Sequence, residues 1–201
     1  ASLSGGGDLS ARALREVSKK VVGMQGTHMV TWNVAGDDVA SGALKNFKKE
    51  DKAAWFPNIV ERWSDVDILA VQESPTPGVM AALTGLYRLL GSCESHAGGR
   101  FVQLYVRQRV EAQFASRVAG APAVAAWLTF DTAQVLVVSA HLADGLAGAK
   151  ERARQMRAIS KYVDAQVAER SVVCSGAVGV VVLGDLNVRG EEFPAMLELG
   201  G

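Results

Sequence analysis

Several apolar runs in this 201-residue sequence end in short polar clusters. Asn33 closes "HMVTWN", Gln72-Glu73 closes "DILAVQE", His141 closes "QVLVVSAH", and Asp185 and Asn187 stand in "VVLGDLN". These side-chain types carry useful chemistry. A carboxylate holds a hard cation or takes a proton, while an imidazole or amide donates hydrogen bonds to an anion. Strand side chains alternate between faces, so Asp185 and Asn187 are expected to share one face where their strand leaves its sheet. Each cluster alone reads equally well as a solvated strand end, and a lone histidine such as His141 is most often bonded to a loop. Their recurrence in one chain carries more weight than any one of them.

The elements that must position them follow from the pattern of apolar residues. Residues 27–34 read as a short strand, and 67–73 as a continuous apolar strand covered on both faces. Residues 51–63 place Trp55, Ile59 or Val60, and Trp63 at helical spacing, with Pro57 near the helix start. A turn at "SPTPG" is followed by a small helix and an ill-defined stretch to 95–99. Three consecutive strands are expected at 100–110, 123–130 and 134–142, the last two joined by "DTA". A longer helix spans 149–169, with Met156, Ile159, Val163 and Val167 in one stripe and Arg152, Arg154, Arg157 and Lys161 on its solvated faces. Residues 178–187 form a further buried strand. Strands interleaved with helices predict an α/β chain of sheets covered by helices.

The length suits one compact domain, placed at 27–201 behind a tail or surface helix at 1–26. In that leader Arg12, Arg15, Lys19 and Lys20 also fit an organelle-targeting remnant, the Gly-rich tail being the preferred reading. Its 21 basic and 21 acidic residues cancel, so any site for a polyanion has to be local. Cys93 and Cys174 make no disulfide framework and no zinc pattern, which suits an intracellular, reducing compartment. No apolar run is long enough to span a membrane. His96, in "ESHAGGR", reads as a solvated loop residue.

The ordered set Trp32-Asn33, Gln72-Glu73, His141-Leu142 and Gly184-Asp185-Leu186-Asn187 resembles the endonuclease/exonuclease/phosphatase family, the DNase I-like group. Arg152, Gln155 and Ile159 match its Arg-x-x-Gln-x-x-x-apolar helix, and "GGRFVQLYVRQR" is similar to its genotoxin-type branch. The likeness runs over about residues 27 to 197. It implies a sandwich of two β-sheets flanked by helices, with a site at the strand ends that hydrolyses a phosphate ester with Mg²⁺ or Mn²⁺. Glu73 and Asn33 would hold the metal, Asp185 would activate water, His141 and Asn187 would donate to the phosphate, and Arg100 would contact it. The substrate class stays open between nucleic acid and phospholipid or inositol phosphate.

The sequence departs from the family in one respect. The pattern closes with Ser-Asp-His, preceded by another Asp. No Ser-Asp-His occurs here, and the histidines are His28, His96 and His141. Losing one such phosphate donor costs about 10²–10³ in rate. Two expectations follow: part of a longer hydrolase, or an inactive relative serving as a structural or binding subunit. If the 201 residues are the whole protein, the incomplete sandwich is expected to be either unstable alone or covered by another polypeptide, since open strand edges and bare apolar surface promote association.

Overall fold

A computed structural model describes residues 27–34, 65–74, 85–95, 100–130 and 133–192. The expected tail or surface helix at 1–26, the helix at 51–63, the "SPTPG" turn with its small helix, and His96 lie outside the described residues. Eight strands and a long helix are described: β1 (His28–Asn33), β2 (Val66–Ser74), β3 (Tyr87–Glu94), β4 (Phe101–Arg107), β5 (Ala112–Arg117), β6 (Ala123–Phe130), β7 (Ala133–His141), α1 (Ala149–Val173) and β8 (Ala177–Asp185). One 3₁₀ turn at Leu146–Gly148 leads into α1.

The strands make two four-stranded sheets, ordered β1-β2-β4-β3 and β5-β6-β7-β8. Each is mixed. β1 runs parallel to β2 and β7 parallel to β8, while the other pairings are antiparallel. The sheets stack with β1 beside β8, β2 beside β7, β4 beside β6 and β3 beside β5. The interior between them is Ile68, Ala70, Val102, Leu104, Val106, Val124, Ala126, Leu128, Val135 and Val137. Inward residues on β2, β4, β6 and β7 follow the two-residue period that a strand imposes.

Helix α1 makes the crossover that a parallel β7/β8 pair requires. It lies on the outer face of the second sheet, with Ile159 buried and Met156, Val163 and Val167 packed beside it against Trp127, Leu136 and Val138. Trp127 Nε1 donates to Gln166 at 3.3 Å, and Arg170 stacks 5.2 Å from the Trp127 ring centre. The helix runs four residues past its expected end. Its arginines do not all face solvent, because Arg152 is fully buried.

Three other expectations are corrected. Strand β3 occupies the stretch that reads as ill-defined: its pairing with β4 shifts register between Leu89 and Gly91, and this blurs its alternation. Strand β5 was missed because "AQFASR" is short and half exposed, as an edge strand is. Strand β8, expected to be buried, has intermediate burial along nearly its whole length.

Candidate active site

The two parallel pairs determine where the polar clusters meet. In β1/β2 Asn33 stands level with Gln72, and in β7/β8 His141 stands level with Asp185. Because β1 lies beside β8 and β2 beside β7, four strands deliver their C-terminal residues to one end of the sandwich. The Asn33 amide nitrogen donates to Glu73 Oε1 at 3.0 Å and to Asp185 Oδ2 at 2.9 Å. Asn33 thus joins carboxylates from both sheets, 152 residues apart in sequence in the case of Asp185. His141 Nε2 lies 3.7 Å from Glu73 Oε1, and Arg100 donates to Glu73 Oε2 at 2.7 Å. Ser95 Oγ is 2.9 Å from His141 Nδ1.

The backbone around these groups is irregular where it has to be. Glu73 has φ 55° and Asn187 φ 51°, in the left-handed region that non-glycine residues rarely occupy. Such strain concentrates where surrounding contacts over-determine a functional geometry. At Glu73 it accompanies a register break between Val71 and Ser74. A regular strand would send Gln72 and Glu73 to opposite faces. Here both reach the second sheet: Gln72 Nε2 approaches Ser139 Oγ at 3.5 Å, and Glu73 approaches His141. Gln72 is a strut between sheets, since it also accepts from Thr31 Oγ1 at 3.1 Å, and Ser139 Oγ donates to the Gln103 carbonyl at 3.2 Å.

Asn187 corrects the expectation that it shares a strand face with Asp185. Strand β8 ends at Asp185, and the left-handed turn at Asn187 folds the chain back. The Asn187 backbone N–H donates to Asp185 Oδ1 at 3.1 Å, and its amide donates to the Leu142 carbonyl at 2.9 Å. Leu142 N–H in turn donates to the Asp185 carbonyl at 3.0 Å. The exits of β7 and β8 are therefore bound to each other. Gly184 is required for that closeness: it has φ 145°, and a Cβ there would sit 1.9 Å from the Ala140 oxygen.

Arg152 holds the same exits from behind. One terminal nitrogen donates to the carbonyls of Ala143 and Gly145, each at 2.8 Å, and the rest of the guanidinium pairs with Glu192 at 2.9 and 2.5 Å. Gln155 Oε1 accepts from Ala143 N–H at 2.9 Å. Burial is tolerated because the guanidinium donors find acceptors in planar, bidentate geometry. The Arg152 guanidinium holds the Glu192 carboxyl below its ordinary range. Cys93 is buried, and desolvation pushes its thiol up to about 11, so it is inert as a nucleophile.

No protein-family model matches the chain, and no curated protein sequence does. Solved structures do. The humanized TDP2 of D. rerio superposes with a TM-score of 0.61 at 20% identity, over 84% of this chain and 69% of that one. Sphingomyelinase C from Streptomyces griseocarneus gives 0.59 at 18% identity, over 86% and 68%. The human Nocturnin catalytic domain gives 0.65 at 14% identity, over 87% and 67%. This chain has the DNase I-like fold. It spans 64% of a second D. rerio TDP2 chain and 56% of the C. elegans one.

On the DNase I-like scaffold, the expected site residues Asn33, Glu73, His141 and Asp185 form one connected group. Arg100 joins it through Glu73, and Asn187 through Asp185. Among the described residues no group of three or more His, Cys, Asp and Glu is placed to hold a metal ion. The donor set at Glu73 is nevertheless of the right chemistry for Mg²⁺. That ion takes oxygen ligands, binds through one or two carboxylates, and keeps several waters for a phosphate to replace. Ser95 and Glu192 were not foreseen, because each acts through a contact distant in sequence: Ser95 with His141 and Glu192 with Arg152.

Proposed function

We propose that this chain carries the active centre of a divalent-metal-dependent phosphoester hydrolase, a phosphodiesterase, nuclease or phosphatase. The observation that supports it is the Asn33 amide joining Glu73 of one sheet to Asp185 of the other. A purely structural strand end has no need of two carboxylates converging on one amide. Glu73, with Asn33, would hold Mg²⁺ or Mn²⁺, which supplies charge neutralisation on the phosphate oxygens. Asp185, oriented through both oxygens by Asn33 and the Asn187 backbone, accepts the proton of the attacking water. His141 through Nε2, and the second hydrogen of the Asn187 amide, donate to the non-bridging oxygens. Fixed donors in a water-poor site favour the charge that grows there. Arg100, paired with Glu73 at the rim, is the contact for the incoming phosphate.

A TDP2 structure from D. rerio holds a single-strand DNA product. The present site is proposed to take a phosphodiester of that general kind, with phospholipid esters as the competing class. Among the described residues no helix is long and apolar enough to cross a membrane. The test is hydrolysis of bis(p-nitrophenyl) phosphate with Mg²⁺ or Mn²⁺. The reading requires metal-dependent turnover in the wild type that Glu73→Gln and Asp185→Asn each remove. Turnover indifferent to both substitutions would overturn it.

A further inference from the structure

Three residues close a ring of contacts with Glu73. Glu73 Oε1 faces His141 Nε2 at 3.7 Å, and His141 Nδ1 meets Ser95 Oγ at 2.9 Å. The Ser95 backbone N–H donates to the Arg100 carbonyl at 2.8 Å, and Arg100 returns to Glu73 Oε2 at 2.7 Å. Ser95 therefore touches both groups that flank the Glu73 carboxylate, one by its side chain and one by its backbone. It is 1% exposed, and His141 is 5% exposed, so neither contact is shared with bulk water.

We propose that Ser95 is a positioning residue that holds His141 as the tautomer bearing its proton on Nε2. The chemistry of the two ring nitrogens leads there. A neutral imidazole has one donor nitrogen and one acceptor, and the hydrogen bond at one decides the state of the other. Nε2 lies 3.7 Å from Glu73 Oε1, and an oxygen there favours the ring that presents a hydrogen to it, so the tautomer with hydrogen on Nε2 is the one this geometry selects. Nδ1 is then the acceptor, and the Ser95 hydroxyl, which rotates freely about its Cβ–Oγ bond, supplies the donor. A carboxylate in place of Ser95 would demand the opposite, a proton on Nδ1. The His141 backbone N–H donates to the Pro122 carbonyl at 3.0 Å, so the ring is held at its root as well as at Nδ1. On the hydrolase reading, on which the catalytic consequence rests, Ser95 keeps the hydrogen on Nε2, the ring nitrogen beside Glu73 that a bound phosphate oxygen would meet, without touching substrate itself.

The experiment is ¹⁵N spectroscopy of the neutral histidine rings in the selectively labelled full chain. The sequence has three histidines, so His141→Gln assigns the signals. Wild type and Ser95→Thr, which keeps the hydroxyl, are expected to show His141 with its hydrogen on Nε2. Ser95→Ala is expected to show a mixture of tautomers, and Ser95→Asp the Nδ1–H form. A wild-type ring protonated on Nδ1 would overturn the proposal, even if every substituted chain failed to fold. So would a Ser95→Ala spectrum identical to wild type. In turnover, loss of one neutral hydrogen bond corresponds to about 2- to 10-fold. Ser95→Ala should lower kcat by that factor at unchanged KM, and Ser95→Thr should restore it. If not even the wild type hydrolyses a phosphodiester, the function proposed above fails while the ring spectra still decide the role of Ser95.

Discussion

Gly184→Ala tests whether the joined exits of β7 and β8 depend on one backbone position. The added Cβ would sit 1.9 Å from the Ala140 oxygen and 2.8 Å from its carbonyl carbon, where real contacts stay above 3.0 Å. The obstacle is backbone, not a side chain that can swing aside, so the strands must part by on the order of 1 Å against a spacing of about 4.8 Å. The position also has φ 145°, which L-residues rarely adopt. Strain of this kind costs about 1–3 kcal/mol and overpacking a similar amount, for an expected loss of about 3 kcal/mol or more. For a chain of this size that is roughly 6–12 °C in Tm. Gly179→Ala is the control on the same strand: its Cβ would meet only the Val135 methyl at 3.6 Å, and its φ is ordinary. There the expectation is no loss, or a gain of up to about 1 kcal/mol. Urea unfolding followed by circular dichroism reads both variants. Equal stabilities for the two would refute the assignment of the constraint to the Ala140–Gly184 approach.

The remaining predictions concern the site and its support. Mn²⁺ titration by calorimetry should show a binding heat that Glu73→Gln removes, whereas Arg100→Gln should tighten binding by a few-fold, since it removes a cation competing for Glu73 Oε2 at a partly buried pair. Asn33→Ala should lower phosphodiester turnover by about 10²-fold, with a smaller change in KM, because it releases both carboxylates it joins. The Glu192 carboxyl titrates below its ordinary 4.5 in the folded chain, so its contribution is fully present above that value and is lost as pH falls through the lower folded one. Urea midpoints measured from pH 6 down to pH 3 should therefore fall less steeply in Glu192→Gln than in wild type.

The amino-acid sequence by itself determined the strands richest in apolar residues, the helix that crosses between β7 and β8, and the chemical types at the strand ends. Those are local properties: "DILAV" and "QVLVV" bury themselves wherever the chain leads, and a run of helical spacing predicts its own partner face. β3 and β5 were hidden, one shifted in register between Leu89 and Gly91 and the other half exposed, because an edge strand owes its existence to a neighbour more than to its own composition. The resemblance assigned the polar strand ends to one site, but only the tertiary structure decided by which contacts they meet. Asn33 bridges Glu73 and Asp185 only because two parallel pairs stack with β1 beside β8, a pairing no local pattern encodes. The same holds for Arg152, which reads as a surface charge on α1 until Ala143, Gly145 and Glu192 close around its guanidinium. Ser95 is ordinary in sequence, and it acquires a role only where the end of β3 is brought against the ring of a histidine 46 residues away. Burial supplies the reason in each case. A buried polar group must find its partners inside the fold, and which partners those are depends on the packing of elements distant in the chain.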